Sequence, residues 1–199
     1  MPLTRIPLPH ADVLLDPNFL APDVAASLLE ELTNTIAWRH EPIKLFGKEV
    51  MQPRLTAWHG DPTARYSYSG IALDPQPWTP ALQLLREQVQ AATQAHFNSV
   101  LLNLYRTGQD SMGWHADNEP ELGPAPIIAS VSLGATRRFR LRPRDPQYSS
   151  HSPISLDLPT GSLLLMRGPT QQHWLHAVPK TVRPTAPRLN LTFRLVMNG

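Results

Sequence analysis

The chain has 199 residues, no Cys, 22 Pro and 10 Gly, with 41% hydrophobic and 17% charged residues and a formal net charge of +2. About one residue in nine is Pro, roughly twice ordinary usage, which excludes a long helical bundle or coiled coil because Pro breaks helix interiors and central strands. The missing Cys excludes disulfides, thiolate zinc sites and cysteine nucleophiles and leaves any metal to His and carboxylates, while 15 Arg against 3 Lys point to an anionic partner, either nucleic acid or a small ligand.

The length favours one domain, residues 1–199, with a substantial core. The first ten residues, MPLTRIPLPH, are proline-spaced and extended, and lack the uninterrupted apolar stretch of a signal peptide. No run approaches the roughly 18 apolar residues of a membrane span. An intracellular protein with no membrane association is expected, cytoplasmic in a bacterium and nuclear in a eukaryote, and a monomer. A helix is predicted at about residues 22–35, with Ala25, Leu28, Leu29, Leu32 and Ile36 at helical spacing and Pro22 at the permissive first position. Residues 45–54 and 66–71 fit hairpins or a lid, with Phe46-Gly47 as a turn tip. A second helix is capped by Thr79, starts at Pro80 and carries Leu82, Leu85, Val89 and Ala92 up to about Phe97.

From residue 100 the pattern changes to short apolar or alternating runs bounded by Gly and Pro, at about 100–105, 127–133, 138–142, 154–158, 162–166 and 188–196. Their close spacing predicts an antiparallel sandwich or barrel against which the two helices pack. Residues 1–99 are thus expected to supply helices and a lid, and residues 100–199 the β core.

The chemistry concentrates in that second half. His115 and Asp117 lie two residues apart, on the same side of an extended segment, so they can take adjacent vertices of one metal. His176 on a later strand would complete a facial triad with open positions. A surface His beside a hydrogen-bonded Asp is the competing reading of the pair. In Arg188-Leu189-Asn190-Leu191-Thr192-Phe193-Arg194-Leu195 every even position is polar and every odd one apolar. Arg188, Asn190, Thr192 and Arg194 therefore share one face. Two arginines facing a barrel interior need anionic partners, which a dicarboxylate would supply; an edge strand with a solvated basic face is the alternative. Asn103 and Tyr105 project together from the strand at 100–105 and would meet the same anion.

The runs LLNLYRTGQDSMGWHADNEPEL, IIASVSLGATRRFRLR, GSLLLMRGPTQQHWLHAVP and PRLNLTFR resemble the AlkB family of Fe(II)- and 2-oxoglutarate-dependent dioxygenases, over about residues 45–195 and in the family's order. The likeness is nearest to the branch that repairs alkylated bases in duplex DNA. It implies an α+β fold with a double-stranded β-helix (jelly-roll) core, N-terminal supporting helices and a nucleotide-recognition lid. It also implies that His115, Asp117 and His176 bind iron. Asn103, Tyr105, Arg188 and Arg194 would bind 2-oxoglutarate, with Asn190 lining the same face and Arg188 or Arg194 pairing with the distal carboxylate. The implied activity is oxidative removal of N-alkyl groups from bases of the 1-methyladenine and 3-methylcytosine type. It would consume 2-oxoglutarate and O2 and form succinate, CO2 and formaldehyde. The alternative is an oxygenase of the same kind acting on RNA or protein.

A methyl group on a Watson–Crick nitrogen is hidden in a duplex, so the base must be flipped or presented single-stranded. The resemblance implies that Tyr68 stacks on that base with Tyr66 nearby, that Glu119 lies close to it, and that Phe46 wedges into the gap it leaves. Arg54 and Arg137 join these as substrate contacts, although Arg137 has the option of turning inward. Arg138, Arg140, Arg142 and Arg144 alternate with Phe139, Leu141 and Pro143 and form a stripe suited to a phosphate backbone, which makes DNA with alkylated bases the expected partner. The chain departs from the duplex branch at residues 145–153, which are polar and nearly uncharged where that branch is more basic.

Overall fold

Proline starts both long helices and stays out of their interiors. The structure, a computed structural model, describes residues 3–45, 48–64, 66–68, 71–145, 153–183 and 185–197. Helix α1 (Pro22–Thr35) has Pro22 in its first turn, where a missing N–H costs nothing, and Asp23 beside it, favourably placed against the helix dipole. Helix α2 (Pro80–Thr93) is capped by the Thr79 hydroxyl, which accepts from the Leu82 N–H at 3.3 Å. It stops four residues short of the expected end. Gln94 takes a left-handed conformation (φ 53°), and the Gln90 side chain accepts the Phe97 N–H at 2.9 Å. Phe97 keeps the apolar spacing but reaches the core from a turn.

Among the described residues fifteen strands follow the chain: β1 (Thr4–Ile6), β2 (Asp12–Asp16), β3 (Pro42–Leu45), β4 (Lys48–Met51), β5 (Leu55–Gly60), β6 (Tyr66–Tyr68), β7 (Ile71–Leu73), β8 (Ser99–Tyr105), β9 (Met112–His115), β10 (Ile128–Gly134), β11 (Arg137–Pro143), β12 (Ile154–Leu158), β13 (Ser162–Arg167), β14 (Trp174–Val178) and β15 (Arg188–Arg194), with a short helix α3 (Thr170–His173) before β14. They form a seven-stranded sheet in the order β1-β2-β13-β10-β15-β8-β5, a four-stranded sheet in the order β12-β11-β14-β9, and two hairpins, β3–β4 and β6–β7. Every pairing within the two large sheets is antiparallel. This is the expected jelly roll, with α1 and α2 packed on the outside of the larger sheet.

The hairpins fall where a lid was expected; Phe46 lies outside the described residues, as do the side chains of Tyr66 and Tyr68. The expected division near residue 99 does not hold for the sheet, because β1, β2 and β5 come from the first half and complete it. Their signal is weak for a physical reason. Strand β5 is buried at five of six positions, so it has no polar alternation to read, and β1 is only three residues long.

Two apolar layers result. Leu32, Leu82, Leu85, Val89 and Phe97 meet Val100, Leu102, Leu189, Leu191 and Phe193 between helices and sheet. Tyr105, Ile128, Phe139, Leu141, Leu164 and Trp174 fill the space between the two sheets. Strand β15 lies between β10 and β8 with all seven residues buried, so the edge-strand alternative for its arginines is excluded. No helix among the described residues is long and apolar enough to cross a membrane.

The passage from the large sheet to the small one turns on Gly134. Its φ is +84°, and a Cβ there would stand 2.4 Å from the Pro187 carbonyl oxygen. The left-handed penalty of roughly 1–2 kcal/mol adds to that backbone clash. Gly134→Ala is therefore expected to lower stability by at least about 2 kcal/mol in urea denaturation; an unchanged midpoint would show that the turn relaxes freely.

Candidate active site

Strands β9 and β14 bring the sequence-predicted ligands together. His176 pairs directly across from His115, and their rings stand 4.1 Å apart between centroids. Asp117 lies two residues beyond the end of β9. Its carboxylate oxygens are 4.0 Å from Nε2 of His115 and 3.8 Å from Nε2 of His176. These are too long for hydrogen bonds, and one donor atom from each residue lies within 4.8 Å of the others. That spacing is close to what one ion held at about 2.1 Å from each donor requires.

The surroundings prepare the three groups for a metal. His115 Nδ1 is 2.9 Å from the Gly113 carbonyl. A carbonyl only accepts, so the proton sits on Nδ1 and the Nε2 lone pair faces Asp117. Burial pushes the His176 pKa down, and the neighbouring His115 pushes it further, to about 3; the ring is neutral, as a ligand must be. Burial alone would push the Asp117 carboxyl up, but Arg194, His176 and His115 outweigh it and hold it below the usual carboxylate range. Arg194 donates to Asp117 Oδ1 at 2.7 Å, the Asp117 N–H donates to Gln171 Oε1 at 2.9 Å, and Phe139 stacks on His176 at 5.3 Å.

From this cluster a cavity runs between the sheets, lined by Asn103, Tyr105, Asn190, Thr192 and Arg194 along with the three ligands. Arg188, 1% exposed, donates to Ser132 Oγ at 2.9 Å and lies 5.3 Å from the ring of Tyr105, which lines the cavity. Its Nε and Nη1 are buried without a protein partner. A guanidinium with two idle donors fits a carboxylate from outside the chain. Asn103 is oriented for the same cavity by Arg54, whose Nε donates to Asn103 Oδ1 at 2.7 Å. The amide of Asn190 donates to Ser130 Oγ and the Val131 carbonyl and accepts from Thr192, so it braces the wall.

A second cavity shares His115, Asp117, Met112 and Arg194 and adds Glu41, Gln52, Arg54, Trp58 and Glu119. Glu119 Oε2 is buried there without a partner.

Arg54 is 3% exposed; its Nε is engaged by Asn103 while its side chain also lines the second cavity. One expectation needs correction. Arg137 is 4% exposed and donates to the carbonyls of Thr107, Asp110 and Pro179 at 3.1, 2.9 and 2.8 Å, which removes it from any strand of nucleic acid. Three site residues were not foreseen. Trp58 lies on the uniformly buried β5; Phe139 was read as one apolar position of an alternating strand; Gln171 arrives on α3, which carries no local sign of its target.

A double-stranded β-helix with two His and one carboxylate at the mouth, and buried arginines behind them, is the architecture of an iron- and 2-oxo-acid-dependent oxygenase. Residues 5–194 match the 2OG-Fe(II) oxygenase superfamily. The chain is 43% identical over 190 residues to alpha-ketoglutarate-dependent dioxygenase alkB homolog 3 of Bos taurus, covering 92% of this chain and 66% of that one. It is also 43% identical over 159 residues to DNA oxidative demethylase ALKBH2 of Homo sapiens, covering 78% and 61%. The solved structure of OsALKBH1 shares the fold, with a TM-score of 0.66 at 18% identity over 98% of this chain and 100% of that one. The chain belongs to the 2OG-Fe(II) oxygenase superfamily and, within it, to the AlkB family, whose cofactors are Fe(II), 2-oxoglutarate and O2. It spans just under two thirds of the length of the curated relatives it matches.

Proposed function

We propose that this chain is an oxidative dealkylase of N-alkylated bases, of the 1-methyladenine and 3-methylcytosine type, in DNA. The observation that carries the reading is the second cavity, which opens directly onto His115 and Asp117 and offers the Trp58 indole and the unpartnered Glu119 oxygen. An indole wall and one hydrogen-bond acceptor suit a flat base with exocyclic donors. The near-equal identity to relatives named dioxygenase and DNA oxidative demethylase agrees with it.

On this reading His115, Asp117 and His176 hold iron. Arg188, with Tyr105 and Asn103, holds the distal carboxylate of 2-oxoglutarate, and Arg194 works at the metal end by fixing Asp117. Bound iron, 2-oxoglutarate and O2 supply the oxidant that hydroxylates the N-alkyl carbon, after which the hemiaminal releases formaldehyde and the restored base, with succinate and CO2 as co-products. The protein's contribution is placement and exclusion of water. Arg54 sets the Asn103 amide, Gln171 and Arg194 set the Asp117 carboxylate, and the inter-sheet core shields the cavity.

The β3–β4 and β6–β7 hairpins serve as the recognition lid. Glu41 and Gln52, at the feet of β3–β4, line the second cavity, which supports that hairpin as part of the lid; the roles of Phe46 as wedge and of Tyr66 and Tyr68 beside the base rest on the family likeness. On the outer face of β11, Arg140 and Arg142 lie 5.6 and 4.5 Å from the Trp114 ring, which holds two guanidinium groups ready for phosphate.

The test is turnover of oligonucleotides carrying 1-methyladenine or 3-methylcytosine, single- and double-stranded, with formaldehyde and succinate both read. Equimolar products with restored bases are expected. Succinate formation with every base left methylated would instead point to an oxygenase of RNA or protein.

A further inference from the structure

Arg137 and Arg138 are neighbours on β11 and so point to opposite faces. Arg138 is exposed, whereas Arg137 is buried among backbone carbonyls. The Asp110 carboxylate attracts it through space but is itself held by Arg106 through bonds of 2.8 and 3.0 Å. Its guanidinium lies 5.7 Å from the centroid of the Tyr105 ring, the same ring that Arg188 approaches at 5.3 Å. Two buried cations thus share one phenol. Burial lowers the pKa of both; the Tyr105 phenol acts the other way on both, as Asp110 does on Arg137, and the charge of Arg137 adds to the lowering for Arg188.

Neighbouring like charges in a dry site oppose folding, and a loop tie needs only donors, which neutral side chains also provide. The second charge is useful when an anion arrives. The tethers of Arg137 also join the segments that matter. Thr107 and Asp110 lie between β8, which carries Asn103 and Tyr105, and β9, which carries His115. Pro179 directly follows β14, which carries His176.

Building on the function proposed above, we infer that Arg137 is a positioning residue for 2-oxoglutarate. It fixes Tyr105 and supplies a second buried positive charge beside that ring, so that the chain selects a keto acid with a distal carboxylate over one without.

The test uses the full chain loaded with Mn(II) and reads binding by calorimetry, without turnover. The ligands are 2-oxoglutarate and 2-oxobutyrate, which lacks the distal carboxylate. Arg137→Met is expected to weaken 2-oxoglutarate roughly tenfold or more, to leave 2-oxobutyrate and Mn(II) binding unchanged, and so to narrow the preference between the two acids. Equal weakening of both acids, or wild-type affinity for 2-oxoglutarate in a folded variant, overturns the inference. Arg137→Lys keeps the charge but not the planar fork. It is expected to melt lower than the wild type yet bind 2-oxoglutarate within about threefold. A folded Arg137→Lys that loses affinity as Arg137→Met should would also overturn it, and it decides the matter if Arg137→Met does not fold. Wild-type protein that binds no 2-oxoglutarate would sink the underlying function instead, a separable result.

Discussion

Arg188→Met is expected to make the ligand-free protein more stable and 2-oxoglutarate binding much weaker. Arg188 is 1% exposed, and two of its three nitrogens are buried without a protein partner. Each idle buried donor carries a desolvation penalty of about 1–3 kcal/mol, and replacing buried ionic groups by apolar ones of similar volume is commonly stabilising by about 1–4 kcal/mol. Against this, the variant forfeits the Ser132 hydrogen bond, worth about 1.5–3 kcal/mol for a charged donor, and the contact with the Tyr105 ring. The gain from two donors and a charge exceeds that loss, leaving about 1 kcal/mol of stabilisation and a rise of about 2–4 °C in melting temperature.

The ligand pays the opposite way: losing charge-assisted bonds of about 1.5–3 kcal/mol weakens 2-oxoglutarate by roughly 10- to 150-fold. Urea denaturation without ligand and calorimetric titration of the Mn(II)-loaded protein read the two signs separately. A variant that loses stability and keeps its affinity would remove Arg188 from the co-substrate subsite.

The same residue shows what can be read from sequence. Strand β15 was legible because it is long, central and strictly alternating. Its odd positions meet the helices and its even ones share the opposite face, where Asn190, Thr192 and Arg194 line the cavity, so the period-two rule alone separates Leu189, Leu191 and Phe193 from Arg188, Asn190, Thr192 and Arg194. The His115-Asp117 spacing was legible for the same reason. Where a residue's role depends on a partner that only the closed sheet supplies, the local pattern is silent. Arg54 meets Asn103 across 49 positions, Gln171 meets Asp117 across 54, and Arg137 finds Pro179 at a separation of 42. Arginine chemistry suggested nucleic acid for Arg137, yet burial turned it toward the protein's own carbonyls. Strand β5 was missed because its two faces are both covered, which erases the alternation that a half-buried strand displays.

Asp117→Asn separates the structural and the metal-holding parts of the carboxylate. The charge is buried, 3% exposed, and its oxygen accepts from Arg194 at 2.7 Å. An amide oxygen keeps an acceptor there but removes the negative charge that offsets a buried guanidinium, and removing one member of a buried ion pair costs about 3–5 kcal/mol. The retained hydrogen bond places the expected loss for the metal-free protein at the lower end, about 3 kcal/mol. The effect on metal is larger in proportion. A neutral amide is a poor ligand beside two imidazoles, so Mn(II) affinity is expected to fall by more than about 100-fold, beyond the usual cost of losing an outer partner. Gln171→Ala supplies the graded comparison, since it removes only the acceptor of the Asp117 N–H and leaves all three ligands; a loss of about tenfold is expected there. Metal content after dialysis and calorimetric titration order the wild type, Gln171→Ala and Asp117→Asn by decreasing affinity. An Asp117→Asn protein that retains Mn(II) as the wild type does would take Asp117 out of the ligand set and leave its bond to Arg194 as a purely structural one.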